Sequence, residues 1–171
     1  GLDSSAQYSL NNDSPTTPNL DQLASSGIIF DNAWATPVCT TTRSTMITGK
    51  YGVNSGDLDV GDIIYADSVI LQRHLKNDHS TSNYASALIG KWQLCGSSPQ
   101  ASHPNDMGID YYAGNLRGSI NDYESWPLTI NGQTNQTTTY HTTKTTDLAI
   151  DWIGAQTEPW FLWLAYVAPH S

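Results

Sequence analysis

Residues 160–168 run nine positions with no charged or amide side chain, Trp-Phe-Leu-Trp-Leu-Ala-Tyr-Val-Ala. A strand with one wet face alternates apolar and polar residues, and this run does not alternate. A membrane-crossing helix needs ~20 apolar residues, so the run is also too short for that. It reads as a strand buried on both faces, the kind found where helices cover both sides of a largely parallel sheet. Residues 84–89 read as a second buried strand ending in the turn Gly90-Lys91-Trp92. Helical patterns separate such strands. Thr17 suits an N-cap, Pro18 a first helical position and Asp21 the positive end of the dipole, with Gly27 as the stop. A short strand over 28–30 is expected to follow. Residues 42–48 read as a helix closed by Gly49, which puts Cys39 near its start. Residues 69–75 and 147–153 carry amphipathic patterns, and 97–140 read as long loops with short strands. Strands alternating with helices imply an α/β fold.

The chain's 171 residues fit one domain. Seven Lys and Arg against 16 Asp and Glu give a net charge of −9. That balance excludes non-specific binding to nucleic acid or to an anionic membrane, since both need surplus basic charge. Two cysteines, Cys39 and Cys95, cannot make a multi-bridge scaffold or a four-cysteine zinc site.

Cys39-Thr40-Thr41-Thr42-Arg43 is the first place where chemistry concentrates. A cysteine at a helix start meets backbone N–H groups and a dipole that favour an anion or a nucleophile. Arg43, one helical turn on, returns to the same face and can hold an oxyanion through its planar fork. By spacing alone, the commoner readings are a buried structural cysteine for Cys39, a strand-end lysine for Lys91 and a loop histidine for His170.

Four ordered stretches change the weighting. Thr17-Pro18-Asn19-Leu20-Asp21-Gln22-Leu23-Ala24 runs on to Gly27 and Phe30; Pro37-Val38-Cys39-Thr40-Thr41-Thr42-Arg43 runs on to Thr48-Gly49-Lys50-Tyr51. Gly90-Lys91-Trp92-Gln93-Leu94 follows, and residues 147–162 lead to Ala168-Pro169-His170. Together they resemble the formylglycine-dependent sulfatases of the alkaline phosphatase superfamily, with their T-P-N-L-D, C-x-P-S-R, L-T-G-R-Y, G-K-W-H-L and P-H elements.

The resemblance implies an alkaline-phosphatase-like α/β fold, a largely parallel sheet flanked by helices and incomplete at both ends. Residues 1–171 would be part of a sulfatase catalytic domain, without its first strand and its C-terminal part, and inactive alone. Gly1-Leu2-Asp3 resembles the residues just after the family's paired aspartates. The implied activity is hydrolysis of sulfate monoesters, of a carbohydrate or an aryl sulfate, in a secreted or periplasmic protein. Cys39 would become formylglycine through a formylglycine-generating enzyme and would touch a calcium ion whose other ligands lie outside the chain. Arg43 would steady the hydrated aldehyde, and Lys91 and His170 would meet the sulfate oxygens. Two positions depart from the pattern. Thr41 stands where the family has Pro, which bears on conversion of Cys39. Gln93 stands where the family has His, and an amide cannot shuttle a proton near neutral pH.

Two alternatives stay open. One is a phosphodiesterase or phosphonate hydrolase of the same superfamily using Thr40; the other is a sulfated-glycan-binding protein without turnover. Cys95 reads as a packed small residue, His103 as an exposed loop histidine with a possible substrate contact, and Trp160 and Trp163 as core. Trp126, in a loop, is the expected platform for a sugar ring.

Overall fold

Strand β1 (Ala85–Gly90) lies between β2 (Tyr111–Gly114) and β5 (Trp160–Ala165) and runs parallel to both. β3 (Trp126–Ile130) pairs antiparallel with β2, and β4 (Gln133–Thr137) antiparallel with β3. The sheet order is β4-β3-β2-β1-β5. The α/β class stands, while the sheet is mixed rather than largely parallel. The antiparallel β3–β4 pair is closed by a hairpin turn, Asn131-Gly132, whose φ values of 43° and 83° suit the right-handed twist of the strands it joins.

This computed structural model describes residues 5–8, 10, 12–57 and 59–170. Gly1-Leu2-Asp3 therefore lies outside the described residues. The chain forms two compact units, Gly1–Ala35 and Thr36–Ser171. The first holds α1 (Pro18–Ser26), with Thr17, Pro18, Asp21 and Gly27 in the expected positions. The strand expected over 28–30 does not form; Ile28 and Phe30 are exposed and pair with no strand among the described residues.

In the second unit α2 (Cys39–Thr48) ends at Gly49, left-handed at φ 68°. α3 (Gly52–Ser55), α4 (Leu71–Asn77) and α5 (His103–Asp106) are short, and α6 (His141–Gly154) crosses from β4 to β5. β1 is the strand buried on both faces. Leu88 faces a core with Ile47, Ile70, Trp92 and Tyr112, while Ala87 and Ile89 face one with Ala113 and Ala149 of α6. β5, expected to be doubly buried, is the edge of the described sheet. Trp160 and Leu164 are accordingly 42% and 37% exposed. Trp160 is thus not core, whereas Trp163 packs partly against the first cluster.

The carboxyl ends of β1, β2 and β5 draw together where only glycine fits. A Cβ on Gly114 would lie 1.9 Å from the Gly90 carbonyl oxygen, and one on Gly90 2.0 Å from that of Ala165. Gly90 has φ +107°, which side-chain-bearing residues avoid. Beyond it the chain keeps pairing. Lys91 N–H donates to Ala165 O at 2.8 Å, Trp92 N–H to Asn115 O at 3.0 Å and Gln93 N–H to Leu116 O at 3.0 Å. Residues 91–93 are thereby fixed at the strand ends, where open α/β sheets place their ligands.

Candidate active site

Cys39 is the first residue of α2, so its side chain sits beside N–H groups that have no partner within the helix. Residues 36–42 fasten that end. Thr36 N–H donates to Thr42 Oγ1 at 3.0 Å, and Thr42 N–H to Val38 O at 3.2 Å. Buried Ser44 donates to Asp57 Oδ2, tying the next turn down. Neighbouring Thr41 is 6% exposed and packs its methyl against Gly52, where a Cβ would lie 2.6 Å away.

The Gln93 amide and the Lys91 ammonium lie close enough to the Cys39 thiol to act on its charge. Burial pushes the thiol's pKa up, but the Gln93 amide, the Lys91 charge and the Thr40 N–H outweigh it and leave the thiol below its ordinary value. Burial also lowers the Lys91 pKa, opposed by the cysteine and reinforced by Arg43. Gln93 has φ 58°, a left-handed geometry that a non-glycine residue adopts at a cost of about 1–2 kcal/mol. Its carboxamide is nine-tenths buried, and its Oε1 has no hydrogen-bond partner among the described residues.

Arg43 lies on the Cys39 face of α2 but spends its guanidinium on main chain. Nε donates to Trp92 O at 3.0 Å and Nη2 to Lys91 O, with the group 4.6 Å above the Trp163 ring. It locks α2 to the 91–93 turn. Burial brings its pKa down to about 10, so it stays charged at neutral pH.

Cys39, Gln93 and His170 open on one cleft of about 510 Å³, walled further by Gly96, Leu116, Arg117 and Gly118. A turn places His170, whose N–H donates to Val167 O at 2.9 Å, and Tyr123 Oη donates to His170 O at 2.6 Å. The expected residues Cys39, Arg43, Lys91, Gln93 and His170 therefore converge. Arg117 and Gly118 were not anticipated; the signal for them is a cation followed by glycine just past a strand, within a stretch read as loop.

Other expectations fail. Trp126 is 1% exposed, lies 4.3 Å from the His141 ring and donates Nε1–H to Thr139 O at 3.0 Å, so no sugar reaches it. His103 is buried rather than an exposed loop residue. Trp92 Nε1–H donates to its Nδ1 at 3.1 Å, which leaves Nε2–H to donate to Ile64 O at 3.1 Å. Cys95 is a buried free thiol as expected, its pKa pushed up to about 11 by burial.

The residues present fit one implied group and not the other. Among the described residues no set of three or more His, Cys, Asp or Glu could hold a metal ion. An oxygen-bearing group at Cys39 does fit, because the unpartnered Gln93 Oε1 can accept from a hydroxyl there.

A family model described as Sulfatase matches residues 3–171. Arylsulfatase J of Mus musculus is 33% identical over 113 residues, covering 63% of this chain and 18% of that protein. N-acetylgalactosamine-6-sulfatase of Homo sapiens is 28% identical over 194 aligned positions, covering 91% of the chain and 35% of that protein. The solved structure of Ps i-CgsB in complex with k-i-k-neocarrahexaose superposes with TM-score 0.76 at 30% identity, over 91% of this chain and 40% of that one. A structure in complex with its substrate D-glucosamine-2-N,6-O-disulfate gives TM-score 0.73 at 27% identity, over 90% and 30%. The chain thus spans well under half the length of these relatives.

Proposed function

Because the chain belongs to the sulfatase family, we propose that the protein carrying it hydrolyses a sulfate monoester of a carbohydrate at Cys39, with Cys39 converted to formylglycine. The observation that carries this reading is a helix-start cysteine that shares one cleft with Gln93 and His170 and lies within electrostatic reach of Lys91. The hydrated aldehyde supplies a hydroxyl nucleophile for sulfur and a second hydroxyl whose deprotonation releases sulfate. The chain's own residues do the rest. Lys91 places a cation, and Gln93 an amide donor, where the sulfate oxygens gather charge; removing one such donor costs about 10²–10³ in kcat. Gln93 Oε1 accepts from the hydroxyl and fixes its direction. Arg43 holds α2 against residues 91 and 92, so nucleophile and donors move as one piece. His170 is the cleft group that can pass a proton to the departing oxygen. No step is derived through a metal ion. A sulfated sugar as substrate is supported by a relative whose structure holds its substrate D-glucosamine-2-N,6-O-disulfate, and a saccharide by one that holds k-i-k-neocarrahexaose.

Thr40 offers no accessible hydroxyl, being fully buried, which weighs against the phosphodiesterase reading. The test is mass spectrometry of the Cys39 peptide from full-length protein made in its native host, with a sulfate-release assay on sulfated saccharides. The expected result is a mass loss at Cys39 matching conversion of the thiol to the aldehyde, with release abolished in Cys39→Ala. An unmodified thiol would remove the aldehyde chemistry. Saccharide binding without release would leave a glycan-binding protein in its place.

A further inference from the structure

Only seven Lys and Arg stand against 16 acidic residues; one of the seven, Arg117, lines the Cys39 cleft, and two more, Lys91 and Arg43, lie close behind Cys39. Those two are committed: Arg43 to the carbonyls of residues 91 and 92, while Lys91 is buried beside Cys39. Arg117 is not. Its side chain is exposed, and no hydrogen bond or ion pair from its guanidinium is found among the described residues. It lines the Cys39 cleft and also an adjoining hollow of about 340 Å³, whose walls include Pro99, Leu116, Ile120 and Pro127.

The backbone beneath Arg117 is held in place before any ligand arrives. Asn115 Nδ2–H donates to Arg117 O at 2.7 Å, and Asn115 Oδ1 accepts from buried His141 Nε2 at 3.0 Å. Trp92 N–H and Gln93 N–H close onto Asn115 O and Leu116 O, so the Arg117 loop is built directly onto the turn that carries Lys91 and Gln93. An uncommitted guanidinium on a fixed backbone beside a largely apolar hollow suits a sugar ring bearing an oxyanion, which its planar fork can take bidentately. A chain of net charge −9 repels polyanions at long range, so an anionic ligand must be recognised by local cations.

We propose that Arg117 reads a second oxyanion on the leaving-group sugar, so that the preferred substrate carries the scissile sulfate and a further sulfate or carboxylate reaching the hollow. This rests on the sulfatase reading. Full-length wild-type protein and the Arg117→Ala and Arg117→Lys variants are assayed on a singly sulfated monosaccharide, its doubly sulfated counterpart and a singly sulfated disaccharide containing a uronic acid. Calorimetric titration of the same ligands runs alongside. Arg117→Ala is expected to lose about ten- to hundred-fold more kcat/KM, and as much more affinity, on a doubly anionic ligand than on the singly sulfated one. Arg117→Lys keeps part of that preference. The doubly anionic ligand with the larger penalty identifies the second group as sulfate or carboxylate. Losses equal within about twofold on all three ligands would overturn the proposal, since the arginine would then be structural or idle. If no ligand is turned over while the binding penalty stays selective, the hydrolase reading falls and the role of Arg117 stands.

Discussion

Gly90 is the position where a single methyl group does most damage. Its φ of +107° is closed to alanine at a cost of about 1–3 kcal/mol. The new Cβ would meet the Ala165 carbonyl oxygen at 2.0 Å, a backbone atom that cannot swing aside as a side chain can. That oxygen accepts the Lys91 N–H at 2.8 Å, and Lys91 is 6% exposed. Relieving the clash therefore opens a buried hydrogen bond, for about 1–3 kcal/mol more. The expected loss for Gly90→Ala in the full-length protein is about 2–6 kcal/mol, a large share of an ordinary domain's 5–15 kcal/mol. In urea this lowers the midpoint by about 1–3 M at a slope near 2 kcal/mol/M. Hydrogen exchange reads the same event locally, with protection of the Lys91 amide falling about thirty-fold or more. Gly154→Ala is the control. Gly154 closes α6 with nothing within 4 Å of its Cβ position, so alanine there is neutral or stabilises by about 0.4–1 kcal/mol. A Gly90→Ala midpoint within about 0.3 M of wild type, or an unchanged Lys91 protection factor, would refute the reasoning.

Lys91→Met is expected to raise the pH at which Cys39, kept as the thiol, reacts with iodoacetamide. The matured variant is expected to lose about 10²–10³ in kcat, while Cys95 stays inert in both proteins because burial holds its pKa at about 11. In Gly118→Ala the new Cβ would sit 2.6 Å from Cδ and Nε2 of Gln93, displacing the amide. Cys39 alkylation then shifts to higher pH, and kcat drops about ten- to hundred-fold with the urea midpoint held, as parallel kinetics and denaturation would show. His103 and His141 are both held below 6.5 by burial, so the unfolded chain binds protons first as pH falls. Stability is full above pH 6.5 and declines below it toward the lower native values. His103→Leu, which strands Trp92 Nε1–H and Ile64 O, starts about 2–4 kcal/mol lower at neutral pH and declines less steeply; parallel midpoint-against-pH curves would exclude that account.

What the sequence disclosed was whatever lies local to a few residues. Thr17-Pro18 and Gly27 bound α1, Gly49 ends α2, and the small and apolar residues of β1, broken by Ser86 alone, mark the central strand. The site residues came with motifs, and they converge because a helix start and a strand end meet where β1, β2 and β5 finish. What escaped depends on distant partners. Trp126 is buried by His141, fifteen positions later, and His103 by Trp92 and Ile64. β5 is as apolar as a doubly covered strand, yet it sits at the edge of the described sheet. The Asn131-Gly132 turn is a local hairpin signal, masked by its place within a stretch rich in Gly, Asn and Thr. Arg117 enters the cleft through the pairing of Gln93 with Leu116, a register that no motif encodes.

That register also separates what must be kept from what can vary. The wall of the cleft is hung on main-chain bonds, from Trp92 to Asn115 and from Gln93 to Leu116, with Asn115 and His141 bracing it from within. None of those bonds uses the side chains of residues 116, 117 or 119. Leu116 packs against the core, but a lineage, or a laboratory library, can rewrite positions 117 and 119 while the nucleophile and its donors remain in place. Substrate preference becomes a matter of a short exchangeable inscription on a permanent frame, and related enzymes can part company in what they cleave long before they differ in how.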